Sequence, residues 1–282
     1  MREAKRRNPE PGRDGQRAEL PEEICLRIPR EQTEQGTLIL VNRKTPLKSR
    51  IPEERLTGFP EDKEPLPGGG FRMLALEQET ARMLRFALQS LSGPGKIALV
   101  SGYRKEWEQQ ELYGKSLREK GEVFTRSYVA FPGCSEHETG LAVDLGELTE
   151  EIDYICPSFP YRGICQEFRE KAAAYGFVER YQKDKKKLTG ISPEPWHFRY
   201  VGTPHARIMK SRGMCLEEYL DDLQNYPLGK RELVWQEEGW QFSIGYCRVC
   251  GEEALLQVPE NRLYQISGDN RGGIIRTVWR RI

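Results

Sequence analysis

Ser135-Glu136-His137-Glu138-Thr139-Gly140-Leu141-Ala142-Val143-Asp144 is the stretch that decides the reading of this chain, because it sets an imidazole, a turn and a carboxylate close together. Gly140 permits the turn. After it, strand alternation places Ala142 and Asp144 on one face and Leu141, Val143 and Leu145 on the other. A carboxylate is thus aimed where the chain has just supplied His137, and the small Gly140 and Ala142 leave room there for an ion and a substrate. A second stretch, Pro193-Glu194-Pro195-Trp196-His197-Phe198-Arg199-Tyr200-Val201, repeats the logic. Alternation puts Trp196, Phe198 and Tyr200 on a packing side and sends His197 the other way. Glu194 would point opposite to His197 in a regular strand, but the flanking prolines disrupt regularity and can bend it back to the same site.

Two imidazoles and one carboxylate make three ligands, and a catalytic zinc needs three protein ligands with a fourth position left for water. His137, Asp144 and His197 fit that count, and Glu194 is the candidate base beside them. A lone histidine is more often a hydrogen-bonded core residue, but that reading gives no account of Asp144 and Glu194 flanking the pair. The last of the three histidines, His205, follows the strand and is expected to be structural or to lie behind the ligands, since a fourth ligand would close the water position.

Ser135-x-His137-x-x-Gly140-x-Ala142-x-Asp144 followed by Glu194-Pro195-Trp196-His197 resembles the paired signature of the LAS group of zinc metallopeptidases, most closely the VanY-type D-alanyl-D-alanine carboxypeptidases. Ser101-Gly102-Tyr103-Arg104 with Gln109 matches a third motif of that family, and the close match spans 96–204. The tail, with Leu216-Glu217-Glu218-Tyr219 and Tyr264-Gln265-Ile266-Ser267-Gly268, is similar to the ends of some VanY and VanXY relatives. The resemblance implies a small α+β domain with an antiparallel sheet, zinc held by His137, Asp144 and His197, and Glu194 as catalytic base. It also implies that Arg104 faces the substrate, gripping a terminal carboxylate or stabilising the oxyanion, with Gln109 and Ser135 lining the peptide pocket. The implied partner is a D-Ala-D-Ala-terminated peptide or peptidoglycan precursor, as in glycopeptide resistance. The same metal set would serve a D-Ala-D-Ala dipeptidase or a bifunctional enzyme, and a zinc-containing binding module without activity, as in hedgehog signalling domains, is the rival of another class.

Around these motifs the 282 residues form a length sufficient for one buried core and an accessory piece. Lys+Arg of 44 against Asp+Glu of 43 leaves a charge of +1, which carries no nucleic-acid footprint. Neither a phosphate-cradling GxxxxGK[ST] nor a GxGxxG is present, so nucleotide binding has no support. No apolar run reaches span length and no hydrophobic segment follows the basic start, so the expected location is cytoplasmic, or the cell envelope if a signal segment precedes this sequence. Seven cysteines at irregular spacings do not read as a disulfide framework. Cys247-Arg248-Val249-Cys250 lacks the second pair that a zinc ribbon needs, and Cys134 as a nucleophile would consume His137 and leave the acidic residues unexplained.

The organisation expected is α+β. Residues 1–22 read as a flexible tail, 23–70 as an extended arm with short strands at 24–28 and 37–41, 71–213 as the zinc D,D-carboxypeptidase domain, and 214–282 as a helix followed by a small β-rich module. Helices are expected within 71–91, at 105–120, at 163–175 and at 216–225, and the five prolines between Thr45 and Gly70 are expected to exclude long regular elements there.

Overall fold

A computed structural model describes residues 23–65, 71–92 and 97–282, so the tail expected at 1–22 lies outside the described residues. The fold is α+β. In chain order the elements are β1 (Glu23–Pro29), β2 (Leu56–Pro65), β3 (Phe71–Glu77), α1 (Gln78–Gln89), β4 (Ile97–Ser101), α2 (Glu106–Tyr128), β5 (Ala142–Glu147), α3 (Gly163–Lys171) and β6 (Phe177–Tyr181). They continue with α4 (Lys186–Thr189), β7 (Glu194–Tyr200), α5 (His205–Arg212), α6 (Leu216–Leu223), β8 (Leu233–Glu237), β9 (Trp240–Arg248), β10 (Glu253–Pro259), β11 (Tyr264–Gly268) and β12 (Gly273–Arg281).

The central sheet runs β4-β5-β7-β6, with every neighbouring pair antiparallel. One face of β5 and β7 is apolar: Leu141, Val143, Leu145, Trp196, Phe198 and Tyr200 all enter a single buried cluster. Against it lies α3, whose Phe168 meets Phe198 edge-on at 4.9 Å between centroids, while Phe159 meets Phe198 at 5.4 Å. Edge-to-face rings of this kind add to the area they bury. On the far side α1 closes the cluster with Ala81, Leu84 and Ala87, and Glu77 caps that helix by accepting from the Thr80 backbone N–H at 3.0 Å. The polar face of the same sheet is left to Asp144, His197 and Arg199.

Three expectations need correction. The helical spacing within 71–91 begins only at Gln78; before it, Leu74 and Leu76 are buried while Met73 is exposed, a period of two, and the segment is β3. The proline-rich 45–70 region does hold a long element, since β2 pairs along β3; its prolines are tolerated because Pro65 ends the strand and Pro60 lies where the register shifts between Phe59 and Lys63. Residues 37–41 form no strand. They pass between two cores, beginning in a turn at Thr37 and Leu38, with Ile39 and Val41 in the cluster beneath the central sheet and Leu38 and Leu40 in a second cluster with α5, α6, β9 and β12. Their backbone groups are taken by side chains and a loop: Arg199 donates to the carbonyls of Thr37 and Ile39, Ser267 Oγ accepts from Leu38 N–H, and the Asn270 side chain donates to the Leu40 carbonyl. The helix expected at 105–120 reaches Tyr128, but reverses at Gly121, whose φ of 81° lets Ser116 and Thr125 hydroxyls meet at 2.7 Å.

The C-terminal strands form a sheet in the order β11-β12-β9-β8, and β10 pairs with β1. Among the described residues no helix is long and apolar enough to cross a membrane. His205 ties α5 to its surroundings: its Nδ1 lies 2.8 Å from the Tyr219 hydroxyl of α6 and its Nε2 lies 3.0 Å from the Thr277 hydroxyl of β12. It is structural and does not stand behind the metal-ligand candidates. Burial pushes its pKa down from 6.5 to about 3, so between those values the unfolded chain takes up a proton that the folded chain refuses. The stability tied to neutral His205 is therefore complete above the unfolded value and is lost as pH falls toward the folded one. Urea unfolding of the wild type and of His205→Gln should show the variant losing stability on acidification less steeply, by up to about 1.4 kcal/mol per pH unit; parallel pH slopes would contradict this.

Candidate active site

Asp144 on β5 stands directly opposite His197 on β7, and on its other side it pairs with Ser101 of β4, past a bulge between Leu99 and Ser101. His137 comes from the one-turn 3₁₀ helix Glu136–Thr139, whose start is fixed by Glu138 accepting from the Gly133 backbone N–H at 2.9 Å. The turn ends at Gly140, with φ 71°, where a Cβ would come within 3.0 Å of the Glu77 nitrogen; only glycine fits the close approach that joins this turn to β3. The result places His137 Nε2 3.1 Å from Asp144 Oδ2 and His197 Nδ1 3.0 Å from Asp144 Oδ1. One ligand atom from each of the three residues lies within 4.8 Å of the others.

Glu194 joins them through a register irregularity. β6 and β7 pair Glu179 with Phe198 but Tyr181 with Glu194, so two extra residues of β7 are accommodated around Pro195. This is the bend that the flanking prolines suggest, and it carries the Glu194 carboxylate to 3.7 Å from His197 Nδ1.

The donor set suits a divalent cation. His137 Nδ1 lies 2.7 Å from the Gly102 carbonyl, which takes its proton and leaves Nε2 with a lone pair toward Asp144. Asp144 Oδ1 is buried without a hydrogen bond although it faces an imidazole nitrogen, an arrangement that a shared cation resolves. Burial lowers the pKa of His137, with Asp144 opposing the shift. For His197 burial acts in the same direction but the carboxylates of Asp144, Glu136 and Glu194 outweigh it and push the imidazolium up to about 9. Burial raises the Glu194 carboxyl to about 8; the His197 charge opposes the shift, and the Asp144 and Glu136 charges add to it. Asp144 moves the other way, held below the usual carboxylate range by the two imidazoles against its burial.

The three ligand candidates line a partly open cleft. Arg104, Gln109 and Ser135 line it, as do Tyr154, Tyr181 and Trp196. Arg104 is held in place: its guanidinium donates to Gln109 Oε1 at 2.6 Å and to Ser101 Oγ at 2.8 Å, and Gln109 in turn donates to the Ala130 carbonyl at 2.7 Å. Cys134 lies outside this lining, and burial pushes its thiol pKa up, which suppresses the thiolate.

The family model described as VanY, D-alanyl-D-alanine carboxypeptidase, matches residues 74–203. The bifunctional D-Ala-D-Ala dipeptidase and D-Ala-D-Ala carboxypeptidase VanXYC of Enterococcus gallinarum is 40% identical over 189 residues, which take in 67% of this chain and 95% of that protein. The chain belongs to the VanY family. A D-alanyl-D-alanine carboxypeptidase of Enterococcus faecium is 33% identical over 258 residues, 89% of this chain and 78% of that protein. Among solved structures, the vancomycin-resistance D,D-dipeptidase VanXYg in complex with a D-Ala-D-Ala phosphinate analogue superposes with a TM-score of 0.84 at 40% identity, covering 92% of this chain and 100% of that one.

Beneath the ligand candidates this VanY-family chain buries charges that sequence reading did not single out. Glu136 Oε1 receives Arg180 Nε at 2.8 Å and lies 2.9 Å from Arg199 Nη1, and all three side chains are essentially closed to solvent. Arg180 then forks onto both oxygens of Glu217 in α6, each at 2.8 Å. Alternation from His197 places Arg199 on the polar face, and Glu136 adjoins His137, so both carried a signal; Glu217 lay in the quoted Leu216-Glu217-Glu218-Tyr219 stretch without a role, and Arg180 carried no signal. Against the cost of burial, the two arginines hold the Glu136 carboxyl well below the usual range. Replacing Arg180 with Leu leaves Glu136 and Glu217 buried with one cation fewer and should lower unfolding free energy by about 3–5 kcal/mol, read from urea denaturation; a change below about 1 kcal/mol would show that the network is energetically neutral.

Proposed function

We propose that this chain is a zinc-dependent carboxypeptidase that removes the terminal D-Ala from D-Ala-D-Ala-ended peptidoglycan precursor peptides. The observation that carries the reading is the convergence of His137, Asp144 and His197 at the floor of a solvent-accessible cleft, with the buried Glu194 carboxylate beside them. Zinc would be held by His137 Nε2, the Asp144 carboxylate and His197 Nδ1, an N/O donor set typical of catalytic sites. When bound, zinc supplies Lewis acidity toward the scissile carbonyl and lowers the pKa of water to about 7.

Glu194 takes the proton of the attacking water at its carboxylate and passes it to the departing amine as the peptide C–N bond breaks, so a single group serves first as base and then as acid. Its raised pKa suits that exchange, since a carboxyl near the working pH both accepts and releases a proton readily. Arg104, pinned by Gln109 and Ser101, presents its guanidinium to the cleft, where it serves the negative charge of the substrate; Gln109 and Ser135 shape the wall around the terminal residue.

The similarity to VanXYC and VanXYg makes the free dipeptide the informative competing substrate. The decisive assay supplies zinc-loaded protein with a D-Ala-D-Ala-ended pentapeptide and, separately, with D-Ala-D-Ala, and measures released D-Ala. Release from the pentapeptide is the expected result; hydrolysis of the dipeptide alone would reassign the chain as a dipeptidase, and no hydrolysis of either would reduce it to a binding module. Glu194→Gln should lose at least about 10²-fold in kcat while retaining stoichiometric zinc, and loss of the metal in that variant would remove Glu194 from its role.

A further inference from the structure

The two oxygens of Glu136 have different surroundings. Oε1 accepts a hydrogen bond from Arg180 Nε and lies 2.9 Å from Arg199 Nη1, whereas Oε2 is buried without a hydrogen bond. Facing Oε2 at 3.6 Å is His197 Nε2, itself buried without a hydrogen bond. A buried donor and a buried acceptor left without partners are costly, and here each is the other's nearest recourse. The opposite nitrogen of the same ring, Nδ1, points at Asp144. A proton kept on Nε2 toward Glu136 therefore leaves the Nδ1 lone pair directed into the ligand triad.

The two histidines consequently present opposite nitrogens, and each has an acceptor at its back. Behind His137 it is a neutral backbone carbonyl, Gly102 O at 2.7 Å; behind His197 it is a carboxylate. The arginines explain how a carboxylate can stand there. Arg180 and Arg199 balance Glu136 and Glu217 charge for charge, which offsets the cost of burying a carboxylate there.

We propose that Glu136 is a positioning residue for the metal centre: it fixes the tautomer and ring orientation of His197, and Arg180 ties that orientation to Glu217 on α6. The inference rests on the zinc reading given above. It assigns to α6, which contributes nothing to the cleft, a part in holding one metal ligand.

The test compares zinc affinity of the full chain, by competition against a chromophoric chelator, and the visible spectrum of the cobalt-substituted protein. Glu136→Gln offers His197 an amide in place of a carboxylate and should weaken zinc binding about 10–100-fold with an altered cobalt spectrum. Glu136→Asp keeps the charge that both arginines need but withdraws it by one methylene, so it should fold and lose affinity in the same direction; it decides the matter if the Gln variant does not fold. Glu217→Gln should shift affinity the same way by a smaller factor, and His205→Gln, destabilised at a remote site, should bind zinc as the wild type does. Wild-type affinity and spectrum in folded Glu136→Asp would overturn the proposal, as would an equal affinity loss in His205→Gln, since binding would then merely follow stability. Wild-type protein that takes up no zinc would sink the metal reading itself, a result visible before any variant is made.

Discussion

The register between β5 and β7 is the constraint on which everything else depends. It sets Asp144 across from His197, and a slip of one residue would turn either side chain to the opposite face of the sheet. What prevents the slip is the reverse face, where Leu141, Val143, Leu145, Trp196, Phe198 and Tyr200 occupy one close-packed cluster. The polar constellation is thus as well defined as the core behind it, because the same two strands build both.

The polar side solves a harder problem, since Glu136, Asp144 and Glu194 crowd into one dry space. Each is treated differently. Two arginines hold Glu136 ionised, two imidazoles hold Asp144 ionised, and Glu194, buried beside both carboxylates, rises to about 8. Environments that push neighbouring carboxyls apart separate groups that carry fixed charge from the one proposed above as the base. The division follows from placement alone: Arg199 alternates with His197 along β7, and Arg180 reaches in from β6.

Much of this was legible in the sequence, for a physical reason. Strand alternation is local, so the sides taken by Asp144, His197 and the aromatic stripe could be read from spacing, and the prolines around Glu194 announced a bend. The fold class and the helices at α1, α3 and α6 came from the same kind of signal. What escaped depends on partners distant in the chain. Residues 37–41 have the composition of a strand, yet their hydrogen bonds go to Arg199, Ser267 and Asn270, and no local pattern encodes such partners. The β2 strand was hidden by prolines that sit only at its end and its bulge, and the Arg180–Glu217 fork joins two elements that neither spacing nor motif connects.

The passage of residues 37–41 between two apolar clusters ties the start of the chain to its later strands. Leu38 and Leu40 are covered by residues as late as Ile275, and the carbonyl of Leu40 awaits the side chain of Asn270. Burial of this early segment is completed only by residues that follow it far along the chain. Closing a loop of that span comes at an entropic cost that the contacts of this layer must repay. Arg199 donates to the same segment and pairs ionically with Glu136, which links the surroundings of His197 to this layer.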